Sequence, residues 1–182
     1  MITLDFPATK NGPGPLRLPA LRAFLQRAQR AAGLAGQTSV LLTTDRALRR
    51  LNREFRGKDR PTDVLSFPPL QAPGAGTRDH GAGDLAISLE TAARQARSLG
   101  HTLETEVRVL ILHGLLHLAG LDHETDSGEM AAREESLRRR FRLPTALIAR
   151  NTHPRARRAP PSAKGAFFQG ANGGPTRPRP AQ

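Results

Sequence analysis

The chain has 182 residues, 28 Lys+Arg against 16 Asp+Glu, a net charge of +12, and no Cys, Trp or Tyr. That length suits one domain with residues left over for a tail, and 37% hydrophobic residues suffice for a core. The lack of Cys excludes a disulfide scaffold and any Cys-ligated zinc or iron–sulfur centre, so a metal would have to be held by His, Asp or Glu.

Residues 2–6 alternate apolar and polar side chains, as a half-buried strand does. Leu18 to Leu34 carries Leu18, Leu21, Leu25, Ala28 and Ala32 at helical spacing. Ser39 to Thr43 is a short β-prone run. Thr44 or Asp45 can cap a helix through Phe55, with Leu48, Leu51 and Phe55 on its apolar face. Asp63 to Phe67 and Asp84 to Ser88 read as two further strands, separated by a Pro- and Gly-rich loop from Pro68 to Gly83. Ser88 can cap a helix to Leu99, and Thr102 another to Ala119. Asp126 followed by Glu129 has capping-box spacing and is expected to open a last helix to Arg140. Four strands and about five helices in this order predict an α+β domain, with helices packed on a small mixed four-stranded sheet, over residues 1–150.

Residues 151–182 differ in composition. They hold six Pro, four Gly and no periodic apolar pattern, which predicts a disordered basic tail. This tail carries Arg155, Arg157, Arg158, Lys164, Arg177 and Arg179 without an acid, half of the net charge. Phe167-Phe168 is its one apolar feature. Across the chain only Lys10, Lys58 and Lys164 are lysines, and the other basic residues are arginines. The planar guanidinium matches phosphate, which makes a polyanion a reasonable partner. The longest apolar stretch, Val109 to Leu121, is interrupted by His113 and His117 and is too short to span a bilayer. The first ten residues do not read as a signal peptide, so a soluble intracellular protein without membrane attachment is expected.

Three of the six histidines fall within eleven residues, in His113-Gly-Leu-Leu-His117-Leu-Ala-Gly120-Leu-Asp122-His123. Residues four apart on a helix share a face, so His113 and His117 can reach one ion. Gly120 permits a positive φ, which lets the helix stop and the chain return His123 to the same ion. Three neutral imidazoles suit zinc, with a fourth position open to water unless Asp122 or Glu124 closes it. A single His on an apolar helix face is usually a core residue, but three at these intervals with a glycine at the turn point to a metal. The spacing is that of the HExxHxxGxxH zinc peptidases, with Gly114 where those carry the glutamate base. Without that base, peptide hydrolysis lacks its proton acceptor. Gly74-Ala-Gly76 and Gly81-Ala-Gly83 lack the GK[ST] of a phosphate-binding loop. Asp63 and Asp84, at strand starts, are candidates to orient a ligand imidazole, although such residues more often cap turns.

The run HGLLHLAGLDH resembles the signature of the YbeY family of bacterial metal-dependent endoribonucleases. Three more segments agree in order: Leu51-Asn52-Arg53-Glu54-Phe55-Arg56-Gly57-Lys58-Asp59, Pro61-Thr62-Asp63-Val64-Leu65-Ser66-Phe67-Pro68 and Gly83-Asp84-Leu85-Ala86-Ile87-Ser88. Met130 and Glu134 also fall where that family often has Met and Glu. The resemblance covers residues 40–140 and leaves the tail aside. It implies one catalytic zinc on His113, His117 and His123, with Arg56 and the ligand His113 serving activity. It also implies single-stranded RNA as substrate, 16S rRNA 3′-end maturation on the small ribosomal subunit, ribosome quality control, and action in the cytoplasm. Read from its position alone, Arg56 is rather a cation complementing a helix C-terminus. Seven Phe and no other Phe, Trp or Tyr aromatics leave few stacking platforms, so RNA is expected to be held mainly by Arg and the metal. The competing reading is a non-catalytic RNA-binding assembly factor with a structural zinc.

Overall fold

The computed structural model describes residues 1–5, 16–69 and 81–144. The predicted tail, the centre of the Pro- and Gly-rich loop, His80 and His153 lie outside the described residues. In chain order the elements are β1 (Ile2–Leu4), α1 (Leu18–Ala32), β2 (Thr38–Thr43), α2 (Asp45–Arg56), β3 (Val64–Phe67), β4 (Gly83–Ser88), α3 (Leu89–Leu99), α4 (Leu103–Leu118) and α5 (Glu129–Phe141). The sheet order is β1-β2-β4-β3. β1, β2 and β4 run parallel, and β3 pairs antiparallel with β4 at the edge. This is the predicted α+β architecture with a mixed four-stranded sheet.

Strand alternation assigns the two faces. Val40, Leu42, Leu85 and Ile87 join the main core with α1, α3, α4 and α5. Ala86 and Leu65 point the other way and meet Leu48 of α2, with Leu41 and Leu51 beside them. α4 is the central helix of the larger layer. Every residue from Val109 to Leu116 is buried, and it packs on α1, α3, α5, β3 and β4. A helix apolar all round is one surrounded by protein, which explains why its sequence shows little amphipathic contrast. No helix among the described residues is long and apolar enough to cross a membrane.

The predicted caps form. The side chains of Thr44, Ser88 and Thr102 accept the backbone N–H groups of Ala47, Thr91 and Thr105. Because β2 and β4 are parallel neighbours, α2 and α3 start side by side and cap each other. The Asp45 N–H donates to Glu90 at 2.6 Å, while the Asp45 carboxylate accepts from Ser88, from Thr91 at 2.7 Å and from Arg94 at 2.9 Å.

Two expectations are corrected. The last helix begins at Glu129 rather than Asp126, because Gly128 takes a φ of 109° that no regular helix admits. Asp126 still serves the helix start, accepting the N–H groups of Gly128 and Met130, and Glu129 accepts that of Ser127. Phe55, expected on the apolar face of α2, is instead 62% exposed. Of that predicted stripe only Leu48 is fully buried, and Leu51 is intermediate.

Candidate metal centre

α4 carries His113 and His117 one turn apart, and their Nε2 atoms lie 3.2 Å from each other. The helix then stops as its sequence requires. Gly120 has a φ of 86°. Its N–H donates to the His117 carbonyl at 3.0 Å, and the Leu121 N–H donates to Leu116 at 3.1 Å. The turn returns His123, whose ring centre lies 5.4 Å from that of His113 and 5.3 Å from that of His117. One ligating atom from each imidazole lies within 4.8 Å of the others, so the trio could hold a metal ion. Tetrahedral zinc with Zn–N bonds of about 2.0–2.1 Å places its nitrogens about 3.3 Å apart, close to the His113–His117 spacing.

His117 suits such an ion in charge as well. Burial pushes the His117 pKa down to about 4, helped by the neighbouring His113 and His123. A neutral imidazole with a free lone pair is the ligating form. Neither Asp122 nor Glu124 joins the group. The Asp122 carboxylate is spent on its own turn, where it accepts from the Glu124 N–H at 3.1 Å and the Thr125 hydroxyl at 3.3 Å. Those bonds, with the Glu124 N–H foremost, hold it below the usual carboxylate range.

The group behind His113 is Glu134 of α5. Its Oε2 lies 3.6 Å from His113 Nδ1, and its Oε1 lies 3.4 Å from Arg138, one turn along the same helix. Glu134 and Arg138 are fully buried, and His113 is only 4% exposed. With a carboxylate on the Nδ1 side, the ring favours the tautomer that leaves Nε2 free toward His117. The strand-start candidates do not play this part. Asp63 accepts from the Val64 N–H at 2.9 Å and from Gln95 of α3 at 3.0 Å, and Asp84 is exposed at the start of β4. In the sequence Glu134 stands out only as a match to the family pattern, with no tie to His113. The signal available was its spacing of four from Arg138 in an otherwise half-buried helix. His101 is structural: its Nε2 meets the buried Glu106 carboxylate at 2.5 Å.

Gly114 marks where α4 presses on the sheet. A Cβ there would sit 2.7 Å from Leu85 Cδ2 and 3.3 Å from Ser66 Oγ, and the Ser66 hydroxyl donates to the Gly114 carbonyl at 3.2 Å. The position that carries a glutamate base in zinc peptidases therefore has no room here for any side chain.

The three imidazoles line a cleft of about 1450 Å³. The last turn of α2 also lines this cleft, through Phe55 and Arg56. Gly57, at a φ of 65°, turns the chain, and Lys58 and Arg60 beyond it line the cleft as well. The fold thus brings Arg56, which no local pattern tied to the histidines, to the space that they border.

A profile of the family described as Endoribonuclease YbeY matches residues 18–142, a span that includes Arg56, the three histidines and Glu134. The Endoribonuclease YbeY of Koribacter versatilis (strain Ellin345) is 53% identical over 135 residues, 74% of this chain and 84% of that protein. The protein of the same name from Solibacter usitatus (strain Ellin6076) is 48% identical over 141 residues, 78% of this chain and 90% of its own length. The chain belongs to the YbeY family of endoribonucleases.

Proposed function

We propose that this protein is a zinc-dependent endoribonuclease that cuts single-stranded RNA. In this reading it acts in the cytoplasm, in 16S rRNA 3′-end maturation on the small ribosomal subunit and in ribosome quality control. The observation that carries the reading is the meeting, in one cleft, of three imidazoles sharing a metal-sized space and a wall of Arg56, Lys58 and Arg60. When bound, a zinc ion there supplies a Lewis acid for a phosphate oxygen and a water acidic enough to attack at neutral pH. His113, His117 and His123 would hold the ion without cancelling its charge. Glu134, behind Nδ1, would keep the His113 ring turned so that Nε2, beside His117, stays free to ligate. Arg56 offers a planar fork to the non-bridging oxygens of the scissile phosphate and stabilises the charge that builds there in the transition state. Lys58 and Arg60 draw in the flanking phosphates. Gly114 leaves the helix without a peptidase base, which sets the chemistry apart from that of the zinc peptidases.

The test is cleavage of an end-labelled single-stranded RNA by the full chain. The wild type should cleave, and a chelator or His113→Ala should abolish cleavage while the circular dichroism stays native. Arg56→Ala should lower the rate roughly a hundredfold with the zinc content unchanged. Full activity of Arg56→Ala would end its catalytic assignment. Zinc-loaded wild type that binds RNA and never cuts it would favour the assembly-factor reading.

A further inference from the structure

The chain contains no Trp and no Tyr, so the placement of each of its seven Phe is informative. Among the described residues the exposed large hydrophobics are Met1, Leu4, Phe55 and Leu99, and Phe55 is the one aromatic. It occupies the next-to-last position of α2, beside Arg56, and both residues line the cleft that holds the three histidines. Its ring is braced edge-on by Phe67, the last residue of β3, with centroids 5.3 Å apart and planes at 77°. Phe67 lines the cleft as well. One wall of the cleft therefore presents an exposed ring, a guanidinium and, past the Gly57 turn, Lys58 and Arg60. Single-stranded RNA offers the complement, planar bases alternating with charged phosphates.

We propose that Phe55, braced by Phe67, stacks against a nucleobase of the bound strand and so sets which phosphodiester lies between Arg56 and the imidazole trio. The inference rests on RNA being the substrate. A phenyl ring already fixed by its neighbour loses little freedom when a base settles on it. Stacking accepts any base, so the site registers the strand in the cleft without demanding one sequence. The exposure of Phe55 against the helical pattern is then a binding feature, of the kind expected where a local rule is broken at a functional site.

Because the chain has no Trp, Phe55→Trp installs a single indole reporter in the cleft. The zinc-loaded full chain is titrated with a short oligoadenylate and, separately, with an abasic strand of the same length, each read before the first turnover. Oligoadenylate should quench the indole, and the abasic strand should not. Phe55→Ala and Phe55→Leu should each bind oligoadenylate about five- to a hundredfold more weakly. Their affinity for the abasic strand and their zinc content should match the wild type. Phe55→Leu keeps an apolar contact on Phe67 and guards against a folding defect in the alanine variant. Wild-type affinity in Phe55→Leu, or an indole that oligoadenylate leaves unquenched, overturns the stacking role and leaves the nuclease assignment standing. A wild type that neither binds nor cuts oligoadenylate removes the RNA reading itself, and this inference with it.

Discussion

Substituting Gly114 by Ala sets two effects of known size against each other. In a helix interior Ala is favoured over Gly by about 0.8–1.0 kcal/mol, so propensity alone predicts a gain. The added Cβ, however, would stand 2.7 Å and 3.1 Å from the two methyls of Leu85. Carbon contacts are optimal at about 3.5–4.0 Å, which makes the overlap about 1 Å. Leu85 is 1% exposed and embedded in the main core, so its side chain cannot swing into solvent. Overpacking of this kind costs about 1–3 kcal/mol. The clash therefore outweighs the propensity, with a net loss of about 1 kcal/mol and a fall in Tm of about 3–6 °C. Zinc affinity should fall too, because His113 and His117 lie on the stretch of α4 that must back away from the sheet. Thermal unfolding by circular dichroism and zinc competition with a chelator measure both. A Gly114→Ala protein that melts at or above the wild-type temperature would show that α4 does not press on β4 here, and the argument that Gly114 leaves no room for a base would fail.

Glu134→Gln should weaken zinc binding about 10–100-fold in protein that is still folded, by removing the carboxylate behind His113. Unchanged affinity by chelator competition would deny Glu134 its orienting part. The same substitution weakens the buried contact with Arg138, so a lower urea midpoint is expected alongside. A third prediction concerns pH. Burial acts to raise the Asp45 pKa, but the bonds from Ser88, Thr91 and Arg94 outweigh it and hold the carboxyl below its ordinary 3.8. The folded state thus prefers the ionised form. That contribution is complete above the unfolded pKa and disappears as pH falls through the folded one. Asp45→Asn should cost about 1–2 kcal/mol at pH 7. Its stability should also fall less steeply than the wild type's below pH 4. Parallel urea midpoints for the two proteins at every pH would contradict this.

The sequence exposed what is local and concealed what depends on tertiary placement. The histidine trio could be read because its geometry is written in four-residue spacing and one glycine, and α4 with the Gly120 turn realises it within eleven residues. The caps at Thr44, Ser88 and Thr102 were readable for the same reason. The start of α5 was misplaced because Asp126 and Glu129 have capping-box spacing, while the left-handed Gly128 between them moves the helix start three residues on. Phe55 has the helical period of a core residue. Periodicity shows which side of α2 it occupies but not that the last turn lines the cleft. Glu134 could not be tied to His113 in advance, since the two meet only once α5 has packed on α4. The membership of Arg56 in the cleft likewise depends on where the end of α2 lies in the tertiary fold, and no spacing in the chain encodes it.

The central claim is that three imidazoles from one helix and its terminal turn bind a single metal ion. Elemental analysis of the purified full chain beside His117→Ala tests it most directly. One zinc per wild-type chain is expected, and almost none in the folded variant. Wild-type protein that takes up no zinc, or a His117→Ala protein that retains a full equivalent, would contradict it.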